Sequence, residues 1–376
     1  MEASWSLPRK WKGSLGSSPA KPNWKGRSIL NDLKSSLYNP FFSHIYIESE
    51  AMEHPNTKDI LSRFPASVLV EIKHYKDVFC RGHQDYRLQK NSPSLILAVK
   101  HNHLVYEGAP VCQSFGNKNF YYTSSVMNCI YDCEYCYLQG MYPSANMVVF
   151  VNLEDIFLEV EALLKKHPVY LCISYDTDLL AMEHILGFAE KWFAFVARHP
   201  DLVIELRTKS AGFSALEKLQ PLENVILAWT LSPRDVIRSY EHRTPSLDQR
   251  LICVRKTMEK GYPVRLCFDP IIYCGNWKYA YEGLIDTVFS AIPADQVLDT
   301  GIGVFRMPGD YLKQIRKQRM NSAPVQYPFE NDNGIYHYSE KLTKEMVAFV
   351  HTLLRQRISE DKIFVWEAVN SIPAVD

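Results

Sequence analysis

From about residue 118 the chain repeats one pattern, a short apolar run followed by a helical segment. The runs are 120–123, 169–174, 202–206, 225–231, 264–268 and 301–305. Strands buried on both faces read as near-continuous apolar runs, which is what a parallel sheet requires. The intervening segments carry helix signals. Asn152 is placed to cap 153–166, with Glu154 and Asp155 in the first turn and Ile156, Val160, Leu163 and Leu164 facing inward. Ser246 and Gln249 form a capping box for 247–260, which Gly261 ends. Six strand–helix units predict an α/β fold, a partial (β/α)6 TIM-like barrel with its chemistry at the C-terminal strand ends. The run 148–151 reads as a strand outside this series.

The flanks divide the chain further. Residues 1–28 hold Arg9, Lys10, Lys12, Lys21, Lys25 and Arg27 against Glu2, and read as a disordered basic tail. Residues 29–115 read as an α/β cap with a helix at 59–63 and strands at 67–72 and 94–99. The barrel then spans 116–310, and 311–376 supplies a C-terminal hairpin and helix. The 42 basic and 42 acidic side chains cancel. That balance argues against gripping nucleic acid by bulk charge, though a local basic groove stays open. No apolar run reaches about 18 residues, so no membrane span is expected. The first 30 residues lack an apolar export segment, which points to the cytoplasm.

Nine cysteines are present. Cys80, Cys112, Cys253 and Cys267 stand singly among apolar residues and read as core packing. Cys129, Cys133 and Cys136 form a C-x3-C-x2-C array, which in a reducing compartment suggests metal binding rather than disulfides. Structural zinc usually takes four protein ligands, and no fourth lies at a customary spacing. Three thiolates can instead hold three irons of a [4Fe–4S] cluster and leave the fourth open.

This array, after a first barrel strand and before a parallel α/β pattern, resembles that of radical S-adenosylmethionine enzymes. In that family the open iron binds the cofactor's methionine. Reductive cleavage then gives a 5′-deoxyadenosyl radical that abstracts hydrogen. The stretch Cys133-Glu-Tyr135-Cys136-Tyr137-Leu138-Gln139 is more specifically similar to the spore photoproduct lyase family, which repairs a methylene-bridged thymine dimer in DNA. The resemblance runs over about 45–365. It includes Glu205-Leu-Arg-Thr-Lys209-Ser210, Trp229-Thr230-Leu-Ser-Pro233, Tyr240-Glu241, Thr244-Pro-Ser-Leu247 and Asp269-Pro270-Ile271.

The resemblance implies several roles. Lys209 falls at the lysine for the methionine carboxylate, and Thr230 where the family has a serine. Asp178 matches an aspartate near the ribose, and Thr177 replaces a neighbouring serine. Tyr135 and Tyr137 match two tyrosines of a hydrogen-atom relay beside the cofactor. Each residue also has a bland reading: a solvated charge for Lys209, a helix cap for Asp178, packing for the tyrosines. A flavodoxin- or ferredoxin-type electron donor is implied as partner.

Two departures stand out. The family's hydrogen-donating cysteine lies three residues before the matching aspartate, where this chain has Tyr175. Cys172 lies three residues earlier, and regular strand alternation points it and Tyr175 to opposite sides. The second departure is the hairpin near 327–338. It is basic in the family and here carries Glu330 and Asp332, acids that repel phosphate. Among further residues, Arg306 reads as a substrate contact or an ion pair, His184 and His242 as helix-face or loop residues, and Cys274 as an alternative thiol. The readings carried forward are lesion repair and a paralogue acting on a small metabolite, peptide or nucleotide. From another class comes a non-catalytic nucleic-acid-binding iron–sulfur protein.

Overall fold

In the computed structural model, residues 42–109 and 112–366 are described. They fall within one compact unit, Pro40–Asp376. The basic tail at 1–28 lies outside the described residues.

The six expected strands stand side by side in chain order. They are Phe120–Thr123, Val169–Cys172, Leu202–Thr208, Val225–Thr230, Val264–Ile271 and Asp299–Val304, all parallel to their neighbours. Ile363–Val365 adds a parallel strand at one edge, and Val105–Glu107 an antiparallel one at the other. Short parallel strands joined by covering helices bury both faces, and Val225–Thr230 is buried at every position.

A second sheet runs in the order Val68–Ile72, His44–Glu48, Leu95–Ala98, Met147–Phe150, Val126–Met127. The run near 148 is therefore outside the barrel, as the sequence suggested. The cap sheet draws strands from both sides of residue 116, so the cysteine array lies between two of its strands. No helix among the described residues is long and apolar enough to cross a membrane.

Local signals mostly translate. The capping box at Ser246 and Gln249 has both arms, at 3.3 and 2.9 Å, and Gly261 has φ +96°. The early helix is Pro55–Leu61, capped by His54 and opened by proline, so it begins and ends before the expected 59–63. Asn152 departs from expectation. It sits at the cap position of Leu153–Leu164, but its side chain makes no capping bond. It binds the Lys100 backbone on both sides, at 2.9 and 2.8 Å, and donates to Asp155 at 2.6 Å. Joining the cap sheet to the helix takes precedence there.

The C-terminal hairpin, Glu330–Asp332 and Ile335–His337, turns on Asn333 (φ 49°) and Gly334 (φ 84°), an Asn-Gly pair suited to two left-handed positions. Helix Gly309–Gln318 rides on the short helix Leu138–Met141 behind the cysteine array. Their approach depends on Gly140, where an added Cβ would lie 2.3 Å from the Tyr311 carbonyl oxygen. Gly140→Ala is expected to cost about 1–3 kcal/mol by overpacking, read by urea denaturation.

Candidate active site

A cavity of about 540 Å³ opens at the C-terminal ends of the barrel strands. Cys129, Cys133, Cys136, Tyr135, Tyr137, Cys172, Tyr175, Thr177, Asp178, Lys209 and Thr230 all line it. The residues named from sequence for the cluster, the cofactor and the tyrosine relay, with Cys172 and Tyr175, thus meet the same space.

The cysteine loop is clamped from three sides. Asp132–Cys133 pairs with Glu241–His242 as a two-residue antiparallel bridge, and Glu134 N–H donates to Tyr240 carbonyl at 2.8 Å. The Lys90 ammonium, itself buried, donates to the Cys129 carbonyl. Arg319, from beyond helix Gly309–Gln318, donates to Gln139 Oε1 at 2.9 Å and to Asp132, while Gln139 donates to the Cys133 carbonyl. All nine cysteines are free. Burial pushes the Cys129 thiol up to about 12 and raises Cys133 and Cys136 as well, so metal loading must displace protons. Among the described residues no three His, Cys, Asp or Glu side chains converge on a single ion. A cluster needs no such convergence, because each thiolate takes its own iron.

Lys209 stands beside this loop, its ammonium 5.9 Å from the Tyr135 ring centroid. Burial works against its charge, but Cys133 and Glu241 outweigh that and raise its pKa. Asp178 performs the capping role foreseen for it, accepting from Ala181 N–H at 3.0 Å at the start of Leu179–Leu186. It also accepts the Thr208 hydroxyl at 2.7 Å and Lys209 N–H at 2.6 Å, which fixes the strand end that presents Lys209. The Thr177 hydroxyl is buried in the cavity wall and has no hydrogen-bond partner among the described residues. An orphaned buried hydroxyl is costly unless something polar binds there.

Glu241 and Arg250 carry roles that the sequence did not assign. Glu241 accepts from the Tyr135 hydroxyl, from Ser232 at 2.8 Å and from Arg250. Arg250 also reaches the Thr230 carbonyl at 3.1 Å. The available signal was Arg250 itself, a charge on the otherwise apolar stripe of Leu247, Leu251, Val254 and Met258.

The backbone around the candidate thiols differs from expectation. Strand Val169–Cys172 ends at Cys172, so alternation does not extend to Tyr175, and both side chains line the cavity. Cys112 is not simply core packing. It lines the cavity, and its thiol donates to the Tyr175 hydroxyl at 3.4 Å. Tyr175 stacks on Tyr122 at 4.0 Å and lies 6.0 Å from the Tyr137 ring, whose hydroxyl donates to the Tyr175 carbonyl at 2.7 Å. Cys274 does not line this cavity. Arg306 does, and it pairs with Asp269 at 2.8 Å. His242 pairs with Glu134 at 2.8 Å. The acidic hairpin flanks the rim: Ile335–His337 pairs with Arg306–Pro308, which lines the cavity, and Glu330–Asp332 is exposed beyond it.

The spore photoproduct lyase family model matches residues 40–307. A spore photoproduct lyase of Clostridium acetobutylicum is 25% identical over 256 residues, covering 65% of this chain and 73% of the relative. One of Bacillus subtilis is 22% identical over 271 residues, covering 69% and 76%. Among solved structures, a substituted spore photoproduct lyase with bound AdoMet and dinucleoside spore photoproduct superposes with TM-score 0.75 at 20% identity, over 88% of this chain and 99% of that one. At that identity the superposition speaks for the fold.

Proposed function

Since the chain belongs to the spore photoproduct lyase family, we propose that it is a radical S-adenosylmethionine enzyme. Cys129, Cys133 and Cys136 hold a [4Fe–4S] cluster in the cavity, with the cofactor beside it. One observation carries the reading: three thiols, a lysine and a partnerless hydroxyl open on one cavity at the strand ends. The donor set fits, with soft sulfur for iron, a cation for a carboxylate and an unsatisfied polar atom for a polar ligand. When bound, cluster and cofactor supply a 5′-deoxyadenosyl radical that takes a hydrogen atom from an organic substrate. Lys209 binds the methionine carboxylate, and Thr177 and Thr230 offer hydroxyls. Asp178 positions Lys209 through its backbone. A flavodoxin- or ferredoxin-type protein supplies the electron, and free thiols suit the cytoplasm.

The substrate is a thymine photoproduct of the kind the relatives are named for. Cys112 gives the hydrogen atom of its S–H to the substrate-derived radical, forming a C–H bond and leaving a thiyl. Tyr175 returns a hydrogen atom to that sulfur from its hydroxyl and is left a phenoxyl radical. Tyr137, next in line, passes this on, to be restored by the hydrogen atom first taken from the substrate and carried as 5′-deoxyadenosine. Burial raises the Cys112 pKa and keeps the S–H form that this step needs. A second reading, a paralogue acting on a small metabolite, peptide or nucleotide, is favoured by the exposed acids Glu330 and Asp332 beside the rim.

Anaerobic reconstitution followed by incubation with dinucleotide spore photoproduct tests both. About four irons per chain, cofactor cleavage and thymine release are expected. Cleavage without thymine release selects the second reading. A Cys129→Ala/Cys133→Ala/Cys136→Ala variant that still cleaves cofactor would sink the whole assignment.

A further inference from the structure

We infer that the face formed by helices Tyr86–Asn91 and Gly309–Gln318 docks an acidic one-electron carrier protein. The inference rests on the cluster assignment and adds the place where the electron enters.

Both helices reach the cysteine loop, the second also lending Tyr311 to the cavity wall. Lys90 of the first binds the Cys129 carbonyl, and Arg319, just past the second, binds Gln139 and Asp132. Their outer surface is thus one side chain removed from the ligand loop. They join where Arg87 Nη1 donates to the Gln318 carbonyl at 3.5 Å.

That surface is basic in a chain whose charges sum to zero. Lys313 and Lys317 are exposed at i,i+4, a like-charge pair that costs helix stability. Arg87 and Arg243 bond to neutral acceptors, the latter to the Lys90 carbonyl at 2.5 Å and to Asn91 at 3.0 Å, and among the described residues no carboxylate pairs with either. Of the nearby acids, Asp132 pairs with Arg319 and Asp85 caps Leu88, while Asp310, exposed in the first turn of the second helix, offsets one of its lysines. Within this basic surround, Leu88 and Met320 are 69% and 76% exposed. A small charged patch with a few apolar contacts suits a weak electron-transfer encounter, which needs steering more than affinity. Complementarity selects an acidic partner.

The test compares reductants on the reconstituted full chain. In Arg87→Glu/Lys317→Glu, cluster reduction by chemically reduced flavodoxin at low ionic strength is expected to fall about tenfold or more. Added salt should slow the wild type toward the variant. Dithionite, which needs no docking, should reduce both equally. Equal flavodoxin rates overturn the assignment, as does an equal slowing with dithionite, which marks damage to the loop. A variant that keeps its flavodoxin rate but loses oligonucleotide binding gives the face to nucleic acid instead. A wild-type chain that takes up no iron overturns the cluster assignment as well, and is recognised by iron content alone.

Discussion

Glu241→Gln is expected to destabilise the fold by about 3–5 kcal/mol, because it strands a buried charge. Glu241 and Arg250 are both fully buried and paired with each other. Glutamine keeps the shape but leaves the guanidinium without its counter-charge. Arg250→Met in the same background should recover part of the loss, and the double-mutant cycle isolates the coupling. The pH dependence has a definite sign. Burial alone would raise the Glu241 pKa, but Arg250 and Lys209 together bring it down from 4.5 to about 2. A depressed carboxylate contributes stability that is present above the unfolded value and lost as pH falls through the folded one. Between pH 4.5 and about 2, the wild type should therefore lose this contribution and the glutamine variant should not. Urea midpoints across that window would reveal parallel slopes if the pairing were unimportant.

Cys112→Ala is expected to separate two events that run together in the wild type. Cofactor cleavage should persist, because the cluster loop is untouched. Clean thymine release from the dinucleotide lesion should fall about 100-fold, equivalent to about 2.7 kcal/mol in barrier. Side products formed by the unquenched substrate radical should take its place. Tyr175→Phe keeps the thiol and removes the hydroxyl 3.4 Å from it. Its first turnover should be normal and later ones slow. Anaerobic chromatography of products, counted per cofactor cleaved, reads both. Unchanged release in Cys112→Ala, with loss in Cys172→Ser, would move the role to the buried Cys172.

What could be read without coordinates follows from distance along the chain. The cysteine array declares itself because iron chemistry fixes a local spacing. The barrel strands do so because two buried faces leave continuous apolar runs, and their spatial order repeats their chain order. The Ser246–Gln249 box is likewise a four-residue matter. The misses are non-local. Cys112 meets Tyr175 across 63 residues of sequence, and Tyr135 meets Glu241 across 106. Asn152 looked like a cap because nothing nearby reveals that Lys100 will claim its amide. Cys172 and Tyr175 seemed opposed only on the premise that the strand continued past Cys172. Arg250 came nearest to being legible, as a lone charge on an apolar stripe.

The three-sided clamp on the cysteine loop also sets a clock. Its supports come from Lys90, Glu241 and Arg319, spread over most of the chain. During synthesis the three cysteines emerge long before the last support does. Until Arg319 has left the ribosome, Asp132 and Gln139 lack their partner, and the loop cannot settle. The loop therefore has its full set of supports only once residue 319 has been made. A chain cut before residue 319 keeps the three thiols but lacks one side of the clamp that holds their loop.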